Sequence, residues 1–342
     1  MQLHHRFDLR HVGRTHHLLN PPRAQLPGKR EAPATHLERR LDPIPFVDAH
    51  VHLWDLGHIR YPWLTPPFDE SGPNGSTEAI AVDYGVVDYL RDAARWNVRG
   101  LVHIDAGAVA EQALDETAWL ETQAARHGLP SGIVAFAPLE DPTVEALLEA
   151  HAAHPHVRGI RQIVNWHVNP MRTYSPRDVT LDDDWWRGFG MLGRHGLSFD
   201  LQCYAPQMSG LAPLIQRHPD VPVILNHLGM PIPTEREGMT RWRYGIRALA
   251  ACQNVSVKIS GLGFIDRGWT LDLVAPILRE VIDVFGVRRC MFASDSPTDK
   301  LFAPFDRYLE AYHAFAAPFS QDERRDLFGR NANRIYRLGL DL

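Results

Sequence analysis

From Phe46 onward, short apolar, β-rich runs alternate with longer stretches whose apolar positions recur every three or four residues. The short runs predict eight strands, at 46–53, 98–104, 133–139, 157–165, 197–204, 221–228, 254–261 and 289–295. Helical spacing covers 83–96, 142–154, 182–195, 207–218, 239–252, 271–285 and 304–317. Several of the helical stretches close on a basic residue and a glycine, as at His127-Gly128 and His195-Gly196, which is how a helix ends before a new strand. Eight strands alternating with helices predict a parallel sheet closed into a (β/α)₈ TIM barrel. A C-terminal stretch, 321–338, predicts one or two further helices that pack Leu327, Phe328, Ile335, Tyr336 and Leu338 on the body.

Residues 1–44 break this pattern. They hold eight Arg and Lys against four acids, six of the nineteen histidines, and Pro21, Pro22, Pro27, Pro33 and Pro43, a composition that buries no core. The expected organisation is therefore a basic, His/Pro-rich and poorly ordered extension over 1–44, followed by a single barrel over 45–342. The longest loop, 55–82, follows the first strand directly, so in a barrel it overhangs the C-terminal mouth where active sites assemble.

Charge and cysteine content narrow the partners. A net charge of −5 gives no footprint for nucleic acid, and no apolar run is long enough to span a bilayer, so a small molecule is the expected partner. Cys203, Cys252 and Cys290 form no close pair, the usage of reduced thiols and a cytoplasmic protein. Monomer and homodimer both remain open.

Four residues carry the chemistry. His50 and His52 stand two apart on the first strand and so point to one side, with Asp48 one pleat earlier. The sixth strand ends in His227 and the eighth in Asp295, and the carboxylate needs a reason to stand at the end of so apolar a strand. Strand phase adds Arg161 with Asn165, Gln202 with Tyr204, and Lys258 with Ser260 as polar contacts, although Arg161 would serve equally as a structural partner of Asp200. Trp54, Trp63 and Trp166 are candidates for an aromatic wall. Cys203 is read as packing, since no activating base is near it in sequence.

The runs Val47-Asp48-Ala49-His50-Val51-His52-Leu53-Trp54, Asn226-His227-Leu228-Gly229, Val257-Lys258-Ile259-Ser260-Gly261-Leu262 and Phe292-Ala293-Ser294-Asp295-Ser296-Pro297 resemble the "amidohydrolase 2" branch of the amidohydrolase superfamily. So do Tyr61-Pro62-Trp63-Leu64, Val157-Arg158-Gly159-Ile160-Arg161 and the closing Asn331-Ala332-Asn333-Arg334-Ile335-Tyr336-Arg337-Leu338. Within that branch the chain is similar to lactonases acting on sugar-acid lactones, such as L-fuconolactone, and on pyrone-dicarboxylate and muconolactone rings.

The resemblance implies a carbohydrate-catabolic hydrolase in which Asp295 activates water while His50, His52 and His227 surround the attacked carbonyl oxygen. Arg161, Gln202, Tyr204 and Lys258, by strand phase, and Trp63, by its aromatic ring, are the expected substrate contacts. Binuclear relatives carry a lysine on the fourth strand and a histidine on the fifth, and this chain has neither, its lysines being Lys29, Lys258 and Lys300. The expectation is accordingly that no cofactor is required. The alternative is one divalent ion, zinc by preference, on His50, His52 and Asp295. Two other functions stay open: a metal-dependent decarboxylase or amide hydrolase of the same superfamily, and a non-catalytic metabolite-binding barrel.

Overall fold

Strand β1 (Phe46–Val51) begins a sheet that runs in chain order through β2 (Val98–Ile104), β3 (Gly132–Phe136), β4 (Val157–Ile163), β5 (Ser198–Gln202), β6 (Val223–Leu225), β7 (Val255–Ile259) and β8 (Cys290–Phe292). The computed structural model describes residues 44–342, so the expected N-terminal extension lies outside the described residues except for Ile44. All seven neighbouring pairs are parallel. Closure between β8 and β1 runs through His52 N to Ser296 O at 2.8 Å and Asp295 N to His50 O at 2.9 Å. The expected TIM barrel is therefore present, with helices packed outside the ring.

Two apolar layers hold it. Inside the ring, Val47, Ala49, Val102, Ile104, Val134, Ile224, Met291 and Ala293 fill the lower barrel, and Ala332 and Tyr336 of the C-terminal segment plug its floor. Outside, the opposite strand faces pack on the helices through residues such as Phe46, Leu101, Ile133, Phe199 and Leu225. Parallel strands buried on both faces read as near-continuous apolar runs, which is why the pattern was legible.

The expected strands were right in number and order, the second to the residue, but the other seven ran too long at their C-terminal ends. The residues that leave the ladder are the polar ones: His52 follows β1, His227 follows β6 and Asp295 follows β8. Backbone geometry explains the break, because His227 (φ 51°) and Asp295 (φ 55°) adopt left-handed conformations incompatible with an extended strand.

A buried clamp outside the barrel yields a stability prediction. His151, on the helix Val144–Ala152, donates from Nε2 to Phe136 O (3.0 Å) at the end of β3 and accepts at Nδ1 from Thr117 Oγ1 (3.1 Å). Burial pulls its pKa down to about 4 from 6.5. The folded value lies below the unfolded one, so this stability is complete above pH 6.5 and drains away as pH falls towards 4. At 1.36 kcal/mol per pKa unit the loss is at most about 3 kcal/mol. Urea unfolding at pH 7 and pH 4.5 should show wild type losing more stability than His151→Gln. Equal losses in both proteins would remove His151 from this role. Among the described residues no helix is long and apolar enough to cross a membrane.

Candidate active site

At the C-terminal mouth lies a cavity of about 230 Å³. One side is apolar, from Trp63, Phe264, Ile163 and the ring of Tyr174, and the other presents Arg161, Gln202, Asn74 and Thr298 around Asp295, His52 and His227. His50 sits one layer deeper and fully buried.

Each imidazole is held through its far nitrogen. His52 Nδ1 donates to Ile104 O at 2.8 Å, His227 Nδ1 stands 3.0 Å from Ser260 Oγ, and His50 Nδ1 stands 3.3 Å from Lys258 Nζ. Gly261 makes room for the second of these: its φ is +66°, and a Cβ there would lie 2.7 Å from His227 Nδ1. His50 Nε2 is 3.2 Å from His52 Nε2, and the two stand 3.4 and 3.2 Å from Asp295 Oδ1. Burial drives His50 and His52 well below their usual pKa and His227 down to about 4, so all three rings are neutral at pH 7.

Asp295 is the anomaly. It is 1% exposed, yet neither carboxylate oxygen has a hydrogen-bond partner, the nearby imidazole nitrogens lacking the geometry to donate. Burial raises its pKa, against the pull of His227, Arg161 and Lys258. A buried carboxylate without donors is costly unless a cation or a reacting proton completes it.

A deeper layer supports these groups. Asp48 accepts from Ser294 N (2.9 Å), His50 N (3.3 Å) and Tyr89 OH (3.0 Å), stapling β8 to β1 just below the site. Despite three donors, burial pushes its pKa up to about 6. Lys258 is completely buried, pairs with Asp200 Oδ2 at 2.5 Å, and Asp200 also accepts from Tyr336 OH.

The expected substrate contacts divide. Trp63, Arg161 and Gln202 line the cavity. Lys258 does not, because its phase on β7 turns it into the barrel interior beneath His50. Tyr204 does not either, since its hydroxyl is drawn outward to Arg172 O at 2.7 Å. Arg161 is tied to Asp105 through both its carboxylate and its backbone oxygen, and to Gln202 Oε1 at 3.1 Å, so its acidic partner is Asp105 and not Asp200. Trp54 is wholly buried and Trp166 is partly exposed, neither lining the cavity. Cys203 is buried and packed, its thiol pKa raised by burial. Asn74, Tyr174, Phe264 and Thr298 were missed: the first two stand on loops and the others in the four-residue helical turns Leu262–Ile265 and Thr298–Leu301, too short for periodicity to mark direction.

Comparison with known proteins places this geometry. The amidohydrolase family model matches residues 47–338. The uncharacterised protein y4mH of Sinorhizobium fredii (strain NBRC 101917 / NGR234) is 40% identical over 301 residues, 87% of this chain and all of that protein. An L-fucono-1,5-lactonase of Burkholderia multivorans is 28% identical over 311 residues, 85% of this chain and 96% of its own. An amidohydrolase from Burkholderia multivorans, crystallised with bound zinc, superposes with a TM-score of 0.71 at 26% identity, covering 85% of this chain and 99% of that one.

These findings correct the expectation that no cofactor is required. His50, His227 and Asp295 place one ligand atom each within 4.8 Å of one another, three buried groups able to hold a divalent metal ion. The donor set fits: neutral imidazoles offer lone pairs, and a carboxylate without other partners offers charge. His227 joins the expected set, because its left-handed backbone brings the ring over His50, at 4.6 Å between centroids. His52 stays at the rim, 3.2 Å from Asp295 Oδ1. With the family model matched from β1 to the floor of the barrel, the chain is a hydrolase and belongs to the amidohydrolase family.

Proposed function

We propose that the protein opens the ring of a lactone of a sugar acid or a related catabolite, with Asp295 as the general base. The observation that carries this reading is the buried, unpartnered carboxylate of Asp295 at the mouth of a cavity with one apolar wall and one hydrogen-bonding edge. A lactone ring presents the same two sides. Its carbon skeleton lies against Trp63 and Phe264, and its oxygens meet Arg161, Gln202 and Asn74.

Asp295 takes a proton from water as the oxygen adds to the carbonyl carbon, and its raised pKa strengthens it for that task. When the ring C–O bond breaks, the same proton passes from the Asp295 carboxyl to the departing alkoxide. Water and lactone become one hydroxy acid. His52, whose Nε2 lone pair faces the cavity beside Asp295, accepts a hydrogen bond from the attacking water, and the Arg161 guanidinium on the cavity wall stabilises the developing oxyanion, while Asp48 and Lys258 keep His50 in place from below. A divalent ion on His50, His227 and Asp295, when bound, supplies Lewis-acid polarisation of the carbonyl and lowers the pKa of water. Three buried, unpaired cysteines support a reducing, cytoplasmic setting.

The test compares metal-stripped with zinc-loaded protein on sugar lactones, pyrones, muconolactones and aromatic carboxylic acids, with metal content measured in parallel. Ring opening that follows the metal content is the expected outcome. Decarboxylation of an aromatic acid with every lactone untouched would replace this reading with the decarboxylase one.

A further inference from the structure

The long loop after β1 is anchored at its base and almost free at its tip. Trp54 Nε1 donates to Val82 O (2.6 Å), Trp63 Nε1 to Ala106 O (2.7 Å) and Thr77 Oγ1 to Trp63 O (2.5 Å), which fixes both ends of the loop. Between them, at the tip, three loops meet on one residue. Asn74 Oδ1 accepts from Tyr174 OH (3.0 Å), carried by the loop after β4, and Asn74 O accepts from an Arg267 guanidinium N–H (2.8 Å), carried by the segment after β7. The adjacent Gly75 has φ +68°, a conformation that favours glycine, and a Cβ there would stand 2.7 Å from the same guanidinium and push it aside.

The two outer arms are themselves fixed. The loop bearing Tyr174 returns two backbone bonds to Asn165 O, at 3.1 and 3.0 Å, and is pinned across the mouth by His167 Nε2 to Glu235 Oε1 at 2.9 Å. Arg267 lies over the Phe302 ring, 5.1 Å from its centroid, and Phe302 packs edge-on against Phe264 of the cavity wall. Asn74 and Tyr174 line the cavity, whereas Arg267 is exposed and holds Asn74 from outside.

We propose that Asn74, Tyr174 and Arg267 form a clasp that determines specificity by size, admitting a single small ring and disfavouring lactones with a second ring. The inference rests on the lactonase reading above. A small ring fits the closed cavity of about 230 Å³. A lactone extended by a second sugar ring, with about twice the atoms, binds only while the clasp is open, so its kcat/KM is scaled by the open fraction. Two hydrogen bonds close the clasp, and cutting each raises the open fraction about fivefold.

The test uses Arg267→Met, which touches no substrate and lies on the surface, and the double variant Arg267→Met/Tyr174→Phe. The probes are D-glucono-1,5-lactone as the single ring and lactobiono-1,5-lactone, the same lactone carrying a galactosyl ring, as the two-ring substrate, with amide hydrogen exchange over residues 70–76 read alongside. The ratio of kcat/KM for lactobionolactone to that for gluconolactone should rise about fivefold in the single variant and further in the double, with faster exchange at the tip. An unchanged ratio alongside faster exchange overturns the size role, and unchanged exchange overturns the clasp itself. Wild type that opens neither probe nor any other lactone sinks the lactonase reading instead, and the exchange measurement then decides the clasp alone.

Discussion

Asp295→Asn should lower kcat by about 10³-fold while leaving KM within a few-fold and the thermal midpoint unchanged or higher. Asparagine keeps the shape of the side chain and removes the basic oxygen, so the loss falls on the proton transfer, whose typical worth is 10²–10⁴-fold. The stability side separates this role from a structural one. In the folded protein neither Asp295 oxygen receives a hydrogen bond, so the desolvation cost of the buried carboxylate is only partly offset by the pull of His227, Arg161 and Lys258. A neutral amide relieves that cost. A residue retained for the fold would behave in the opposite way, losing stability and activity together. Metal content of the variant should fall as well, since one of three ligand groups loses its charge. Activity within tenfold of wild type, measured on the best lactone at saturating zinc, would end the general-base assignment.

The second large effect belongs to the buried pair below the site. Lys258→Met should destabilise the protein by about 3–5 kcal/mol, because it leaves Asp200 as an uncompensated charge in the barrel interior. Both partners are fully buried, at 2.5 Å, and the only other donor recorded on Asp200 is the Tyr336 hydroxyl. Burial pulls the Lys258 pKa down to about 8, with Asp200 opposing, so the ammonium persists at neutral pH by virtue of its partner. The double variant Asp200→Asn/Lys258→Met should recover most of the loss, since both charges leave together. Chemical unfolding of the four proteins closes the cycle. If Lys258→Met costs under about 1 kcal/mol, the pair does not carry the barrel interior. The double variant should still lose activity, because His50 Nδ1 keeps no partner beneath it.

Neither prediction was equally visible from the chain alone. Asp295, His50, His52 and His227 stood out because each is a polar residue at the end of an apolar run, and a TIM barrel delivers all such ends to one mouth. Lys258 carried the same signature and was read as a substrate contact. Alternation on a strand tells which residues share a face, but a barrel strand has an inner face at every depth. Whether an inward residue meets the substrate or the floor depends on its height, and that depends on the register with neighbouring strands. Arg161 illustrates the same point, its acidic partner being Asp105 on β2's end where Asp200 was expected.

The amino-acid sequence by itself determined the eight-stranded barrel, its order, its C-terminal helices and the four polar strand ends, because these follow from local periodicity and from the direction in which parallel strands run. The tertiary structure alone decided three matters. It brought His227 beside His50 and Asp295, through left-handed backbone that no pattern announces. It sent Lys258 beneath the site. It also brought Asn74, Tyr174 and Arg267, distant in the chain, to one point above the cavity. Those outcomes are set by depth, register and loop closure, which are distances between elements, and a pattern along one chain records only which way each element faces.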